Sequence, residues 1–310
     1  MIIYKYLNPT AALETIRNNS VLLRMPEEFN DPFDCLFYVS KKEMKRAYKL
    51  FINYQCFKVL HSEFIVQEKT PMRLKGYASI LIGNVRLLAP RVIKNSRYSY
   101  QPDIAAHYRF AKAALKRDDS ELQKEFNQMI KKVMKDIRRL TLVSCFSTSN
   151  DSILMWSHYA KDHTGACVEF EINDKSFKAV KYCKRMKSFR LTRVLEYVFG
   201  NDFSGTKMNY EDDSFLFVVE PILTKADMWR YEHEIRCVFS NNNRDKRIFD
   251  GKDGKMLLKM PKIRRIIVGC NADDEFIDEI KELPDIGPIY KMKMIDGQYK
   301  IVEDLFNEKI

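Results

Sequence analysis

The sequence predicts an α+β fold, with a mixed or antiparallel sheet as its core and a mostly helical insertion interrupting it. Three observations carry this expectation. Apolar segments of strand length recur from the first residues to the last, residues 41–140 switch to a helical period, and compact turn signals rather than linkers separate the segments. A chain of 310 residues is long enough for one large domain or two small ones with a substantial core. With no repeat and no low-complexity linker, it reads as a single α+β domain over 1–310 that carries a basic helical insertion at 41–140.

Taken in order, residues 2–6 read as a strand, and Asn8-Pro9 opens a short helix with Pro at its first position that ends at Asn18-Asn19. Val21 to Arg24 is a second strand, followed by a turn, FNDPFD, from Phe29 to Asp34. Ser40-Lys41-Lys42-Glu43 has the form of a capping box and opens an amphipathic stretch with Met44, Tyr48 and Phe51 on one face. A second helix, capped by Asp118 or Asp119, carries Leu122, Phe126, Met129, Val133, Ile137 and Leu140 every three or four residues. LTLVSCFS (140–147) is an apolar strand. Asn150 or Asp151 then caps a helix holding MWSHYA, which Gly165 stops. ACVEFEI (166–172), SFLFVVEPIL (214–223) and YEHEIRCVF (231–239) read as strands. IRRIIVGC, a helix capped near Asn271, and a hairpin turning at Asp296-Gly297 complete the chain.

Composition narrows the function classes. No apolar run approaches the roughly 20 residues of a membrane span and no charged-then-apolar leader is present, so a cytoplasmic protein without a membrane partner is expected. The seven cysteines are widely spaced, with no C-x-x-C pair, and read as reduced thiols rather than a disulfide framework or zinc site. Five scattered histidines offer no metal spacing, so no metal is expected. The net charge of +11 is unevenly placed: residues 41–140 hold 23 Lys/Arg against 9 Asp/Glu, a net +14, and the remainder holds 30 basic and 33 acidic residues. Such a segment is either a solvated helical face or a nucleic-acid surface. In RVIKNSRYSYQ, Arg91, Lys94 and Arg97 alternate with aromatic side chains, which suits phosphate neutralisation combined with base stacking.

Three clusters concentrate aromatic and ionisable residues. FNDPFD is either a loop anchored by Phe29 and Phe33 or a rigid turn presenting Asn30, Asp31 and Asp34 to a ligand. MWSHYA pairs Met155 with Tyr159 and Trp156 with Ala160 at i, i+4, a packed helix face that also carries His158. KADMWRYEHEIR brings together Lys225, Trp229, Tyr231, Glu232, Glu234 and Arg236. On a strand, Glu232, Glu234 and Arg236 share one face, with the two carboxylates about 7 Å apart. They repel unless a cation or a hydroxyl-rich ligand sits between them. Either a ligand site or a structural ion-pair ladder with Lys225 and Arg236 satisfies that requirement.

FNDPFD, then SCFSTSND leading into MWSHYA and H-x-G, then K-x-x-x-W-x-YE-x-E-x-R, together resemble a bacterial family of unknown function marked by these motifs in this order. The resemblance runs from Tyr4 to about Phe239 and implies a context of mobile or phage-defence neighbourhoods rather than a chemistry. A second resemblance is to ADP-ribosyltransferases. Their first strand bears Arg, His or Tyr, their central strand ends in Ser-Thr-Ser, and a late strand carries Glu-x-Glu, all lining one NAD cleft. Here Tyr4 and Tyr6, Ser147-Thr148-Ser149, and Glu232-x-Glu234 stand in that order, although Glu169-x-Glu171 forms the same short pattern. The resemblance implies NAD as cofactor, with Glu234 at the ribose and Glu232 at the acceptor. It further implies that Ser147 and Ser149 shape the cleft and position Glu234, and that Trp156 or Tyr159 stacks on the nicotinamide or walls off water. On this reading the protein is a transferase of the defence or toxin-effector type, acting on nucleic acid or a protein bound to it. Two other classes stay open: a non-enzymatic ligand- or nucleic-acid-binding module, and a metal-dependent nuclease using Asp31, Asp34, Glu232, Glu234 and Lys225. Acceptor and oligomeric state are left open.

Overall fold

The computed structural model describes residues 1–67, 119–195, 216–241, 245–251, 254–284 and 286–305. Arg91, Lys94 and Arg97 lie outside the described residues. The chain forms two compact units: Met1–Leu36, Ile137–Met186 and Val219–Ile310 make the first, and Phe37–Asp136 with Lys187–Val218 make the second. Among the described residues, no helix is long and apolar enough to cross a membrane.

An eight-stranded sheet organises the first unit. Its strands are β1 (Ile2–Leu7), β3 (Thr141–Ser147), β4 (Ala166–Glu171), β5 (Phe177–Ala179), β8 (Glu234–Ser240), β11 (Ile263–Val268), β12 (Ile289–Met294) and β13 (Ile301–Leu305). Their spatial order is β13-β12-β11-β4-β1-β3-β8-β5. Neighbours run antiparallel except β11 and β12, which are parallel. This is the mixed sheet of an α+β fold. A three-stranded antiparallel sheet, β2 (Ser20–Leu23), β10 (Met256–Lys259) and β9 (Ile248–Asp250), and a parallel pair, β6 (Lys181–Cys183) with β7 (Thr224–Ala226), complete its strands.

The period-2 alternation of strand side chains divides the large sheet into two faces, each packed by its own apolar cluster. One face buries Ile3, Leu142, Phe146, Val168, Phe170, Ile235, Cys237, Ile266 and Val268. Against it pack helix α1 (Pro9–Asn18), helix α6 (Asp274–Lys281) and residues of the smaller sheet, forming the main apolar core. Lys5 also lies on that face, its ammonium donating to Ser144 Oγ (3.0 Å) and the Cys145 carbonyl (2.7 Å). The other face holds Tyr4, Tyr6, Cys167 and Ile267, and receives Met155 and Trp156 of helix α4 (Ile153–Tyr159). Trp156 is fully buried, meets Tyr6 edge-on at 5.3 Å between ring centres, and donates its indole N–H to the Asn150 carbonyl (2.7 Å). That bond satisfies the polar end of an otherwise apolar ring.

Helix α1 starts and stops where the sequence places it: Asn8 caps it by accepting from the Ala11 N–H, and Asn19 ends it in the left-handed region at φ 44°. Elsewhere the local reading needs correction. Ser152, not Asn150 or Asp151, caps α4 through the Met155 N–H, and Asp273, not Asn271, caps α6 through the Phe276 N–H. Both true caps stand one or two residues further along the chain, directly before the first helical residue. α4 ends at Tyr159 in turns through Lys161, Asp162 and His163 at positive φ, before Gly165 is reached. Gly165 serves another purpose, since a Cβ there would fall 2.1 Å from the Leu7 carbonyl oxygen, so β1 and its neighbour pass too closely for any side chain.

Residues 216–222, read as part of a strand, form helix α5 (Leu216–Ile222) with Pro221 in its last turn. A continuous apolar run does not distinguish a short buried helix from a strand, and here the helical option won. Strand β8 starts at Glu234, not at Tyr231: Asp227–Glu232 is a 3-10 helix ending in His233 at φ 45°.

In the second unit, helices α2 (Lys41–Gln67) and α3 (Asp119–Arg139) bury Ala47, Leu50 and Phe51, and Leu122, Phe126 and Ile130, respectively. Phe51 and Phe126 approach to 5.5 Å between ring centres, and the Tyr48 hydroxyl donates to Asp119 (2.6 Å). Half of the expected capping box forms: Ser40 Oγ accepts from the Glu43 N–H, but Glu43 turns away from Ser40 to accept from the N–H and hydroxyl of Thr192. Glu43, Ala47, Leu50 and Phe51 are buried, and Met44 and Tyr48 are only half-buried, which shifts the buried stripe one position from the expected face.

Candidate functional site

At the β8 end of the sheet, five ionisable side chains of the first unit converge below solvent: Asp34, Lys225, Glu232, Glu234 and Arg236. Arg236, fully buried, is the hub. Its Nε donates to Glu234 Oε1 (2.7 Å), and Nη2 donates to Asp34 Oδ2 (2.6 Å) and Glu234 Oε2 (3.0 Å). Nη1 reaches the Ile222 carbonyl (2.5 Å) and the Cys35 sulfur (3.2 Å), and the guanidinium lies over the Phe29 ring at 5.6 Å. The planar fork of arginine suits this many-acceptor arrangement, and leaving the group unpaired would be prohibitive.

Lys225 is the second cation. Its ammonium contacts Glu232 Oε2 (2.5 Å), Glu234 Oε2 (3.2 Å) and Asp34 Oδ2 (3.6 Å), and sits 5.0 Å from the centre of the Trp229 ring. The Tyr159 hydroxyl donates to the remaining Glu232 oxygen (2.7 Å). Sequence alternation places Glu232 on the strand, and the structure removes it from there; yet the 3-10 turn and the left-handed His233 return its carboxylate to the same cluster.

Three carboxylates face two cations, so the fully ionised cluster carries one net negative charge. The two glutamates resolve this differently. Burial raises Glu232 above the ordinary glutamate range, and Lys225 only partly offsets it. Burial would also raise Glu234, but the Arg236 and Lys225 charges and hydrogen bonds overcome it and hold Glu234 down at about 2. Lys225 is raised, because the attraction of Glu234, Glu232 and Asp34 outweighs its burial. Burial pushes the Cys35 thiol up to about 12, which keeps it a neutral acceptor beside Arg236.

Register then ties this cluster to the rest of the sheet. Glu234 pairs with Ser147, Ser147 with Tyr4, Tyr4 with Glu169, and Glu169 with Arg265, so one row across five adjacent strands carries only polar side chains. Ser147 is buried, its hydroxyl donating to the Glu232 carbonyl (2.7 Å) and accepting from the Ser149 N–H (3.0 Å). At the far end of the row, Arg265 binds Glu169 (2.5 Å) and Glu303 and reaches the Tyr4 hydroxyl at 3.5 Å. Half-exposed aromatic rings rim the Lys225–Glu232 pair: Tyr159, Tyr231 and Trp229, with the Trp229 and Tyr231 ring centres 6.0 Å apart. Exposed His158 joins them through a contact between its Nδ1 and the Tyr231 hydroxyl (3.2 Å).

Of the residues singled out in the sequence, Asp34, Tyr159, Lys225, Trp229, Glu232, Glu234 and Arg236 come together, with Ser147 beside Glu234 and Tyr4 next in the row. Trp156 and Tyr6 pack as core on the same face, and the Tyr6 hydroxyl donates to the Ser149 carbonyl (3.0 Å). Ser149 itself turns to Asp151. Within FNDPFD, Asp34 is the carboxylate that enters the cluster, and Phe29 packs against its Arg236 hub. Asp31 spends an oxygen on the Phe33 N–H (2.9 Å), Asn30 is exposed, and Phe33 is 65% exposed and so anchors nothing. Cys35 and Tyr182 were missed. Tyr182 accepts from the Glu234 N–H (2.8 Å), and no sequence pattern flags it, because it arrives from a short strand 52 residues away. Of the carboxylates of the nuclease reading, Asp34, Glu232 and Glu234 are engaged by Lys225 and Arg236 while Asp31 stands apart, and among the described residues no three His, Cys, Asp or Glu side chains are grouped to hold a metal ion.

Residues 155–237 match the family described as "Protein of unknown function (DUF2971)". That span runs from Met155 in α4 to Cys237 in β8 and takes in Tyr159, Lys225, Trp229, Glu232, Glu234 and Arg236. No curated protein and no solved structure matches the chain.

Proposed function

We propose that the first unit is an ADP-ribosyltransferase-like enzyme that takes NAD at the polar row of its sheet. The observation that carries this reading is the register: Tyr4, Ser147 and Glu234 occupy one line across three neighbouring strands. Three motifs scattered over 230 residues of sequence thus become nearest neighbours. The residues also fit the ligand, because aromatic rings that stack flat heterocycles rim a carboxylate pair suited to a hydroxyl-bearing sugar.

Bound there, NAD supplies a glycosidic carbon that becomes electrophilic as nicotinamide departs with the bonding electron pair. Glu234, held anionic by Arg236 and Lys225, places negative charge where positive charge develops. Glu232, raised by burial, receives the proton that the acceptor's oxygen or nitrogen loses on bonding to that carbon. Tyr159 and Lys225 orient Glu232, Ser147 fixes the turn that presents it, and Trp229 and Tyr231 offer stacking surfaces. The acceptor we infer is a nucleic acid or a protein bound to one, drawn in by the basic segment that contains Arg91, Lys94 and Arg97.

The test is incubation of the protein with labelled NAD, with and without RNA, DNA and cell lysate, beside Glu234→Gln and Glu232→Gln variants. Release of nicotinamide or transfer of label by the wild type, reduced about a hundredfold or more in Glu234→Gln, is the expected result. No turnover and no NAD binding by calorimetry would overturn the reading. A second reading, a binding module without turnover, is favoured by the completeness of the ion-pair network, in which each carboxylate already has a cationic partner. NAD binding without turnover in any of these incubations would select it.

A further inference from the structure

In the second unit, the first three turns of α2 present a second arrangement of charge, unconnected with the carboxylate cluster. Lys41, Lys42, Lys45, Arg46 and Lys49 together line an open hollow of about 490 Å³. All five side chains are exposed. At 1.5 Å rise per residue, Lys41, Lys45 and Lys49 form a file with about 6 Å between successive positions, and Lys42 and Arg46 form a second file beside it. Like charges at i, i+4 oppose helix formation, so five cations on one stretch are a local cost that a bound anion removes. The carboxylate placed to relieve that repulsion, Glu43, has turned its Oε1 to Thr192 and stands 3.8 Å from Arg46 by its other oxygen. Among the described residues, Lys41, Lys42, Lys45 and Lys49 have no acidic partner. The positive end of the helix dipole adds to the same field.

We propose that this hollow binds the phosphodiester backbone of a nucleic acid without regard to its sequence. The side chains decide the class. Four of the five are lysines, compact hydrated charges that neutralise phosphates but lack the planar donor fork that reads base edges. A linear file of cations fits a linear file of phosphates better than it fits one small anion. The inference deepens the docking half of the proposed function and is independent of its NAD half, since phosphate binding here requires neither Glu232 nor Glu234.

The experiment measures binding of the full chain to a fluorescent mixed-sequence single-stranded RNA over a salt series, for the wild type and a Lys41→Ala/Lys45→Ala/Lys49→Ala variant. All three positions are exposed, and circular dichroism reports whether α2 and α3 persist. The expected result is at least a tenfold loss of affinity at low salt and a log–log salt slope shallower by about 2, uniformly across RNA sequences. An unchanged slope in a folded variant would overturn the proposal. So would equal retention of wild type and variant on RNA, or binding to vesicles containing anionic lipid with none to RNA. Because no NAD is present, failure here leaves the transferase reading intact, and failure of NAD turnover leaves this one intact.

Discussion

Glu232 and Glu234 are two residues apart and share Lys225, yet they stand on opposite sides of the ordinary glutamate value of 4.5. Glu234 is depressed to about 2, so its contribution to stability is present above pH 4.5 and is lost as pH falls toward 2. Glu232 is raised, so its contribution is present below pH 4.5 and is lost as pH rises through its folded value. The two substitutions to Gln should therefore differ. Glu234→Gln should lower stability at pH 7 by a few kcal/mol and flatten the acid limb. Glu232→Gln should leave stability at pH 7 unchanged or higher, because it removes the unbalanced negative charge. Urea unfolding from pH 3 to 8 reads both, and equal losses would mean that Glu232 is as fixed an anion as Glu234. Arg236 sets the scale of the whole cluster: Arg236→Ala strands two buried carboxylates and should cost about 3–5 kcal/mol. Arg236→Lys should recover little of this, since one ammonium cannot replace contacts to Glu234, Asp34, Cys35 and the Ile222 carbonyl.

Between residue and fold stands the turn at His233, where sequence reasoning both succeeded and failed. Strict alternation in YEHEIR put Glu232, Glu234 and Arg236 on one face, and the three do meet, but the chain achieves this through a 3-10 helix and a left-handed residue rather than a longer strand. Period-2 patterning registers which side chains gather and is blind to a single positive φ between them. α5 shows the same blindness in reverse: an apolar run carries no period, and what fixes the helix is tertiary, including the use of the Ile222 carbonyl as an acceptor for Arg236. Caps that bond their own helix were more legible, as at Asn8, although Ser152 and Asp273 displaced more prominent neighbours. His233 is exposed, so substitutions there report backbone geometry rather than packing. His233→Val should cost about 1–2 kcal/mol, because a β-branched residue is poorly tolerated at φ 45°, whereas His233→Gly should be near neutral. Thermal unfolding separates them, and equal midpoints would mean that the turn relaxes without its left-handed residue. On the proposed transferase reading, His233→Val should also lower NAD turnover in its folded fraction, because the turn carries Glu232 to Lys225 and Tyr159.

At the scale of the whole molecule, the sheet joins segments that are far apart in sequence, and both of its faces bury apolar side chains. Apolar segments revealed β1 to β4, β8, β11 and the closing hairpin but not the short strands β5, β6, β7, β9 and β10, and no single-sequence pattern states that β1 lies between β3 and β4; that order is what aligns Tyr4, Ser147 and Glu234. Charge is legible at this scale in a way that register is not, since it needs only counting: the +14 over residues 41–140 stands out against a nearly balanced remainder. Screening over about 10 Å at ordinary ionic strength makes such an excess a local device rather than a global field. Arg91, Lys94 and Arg97 and the lysine files of α2 fall within the same basic stretch. If both sets contact one polynucleotide, charge reversal at Arg91, Lys94 and Arg97 should weaken binding and make its salt slope shallower by about 2, and combining it with the triple lysine variant should add the two reductions. Reductions that do not add would mean that one set acts only through the other. No effect of the arginine and lysine reversal alone would assign RVIKNSRYSYQ to a solvated face and leave α2 as the docking element.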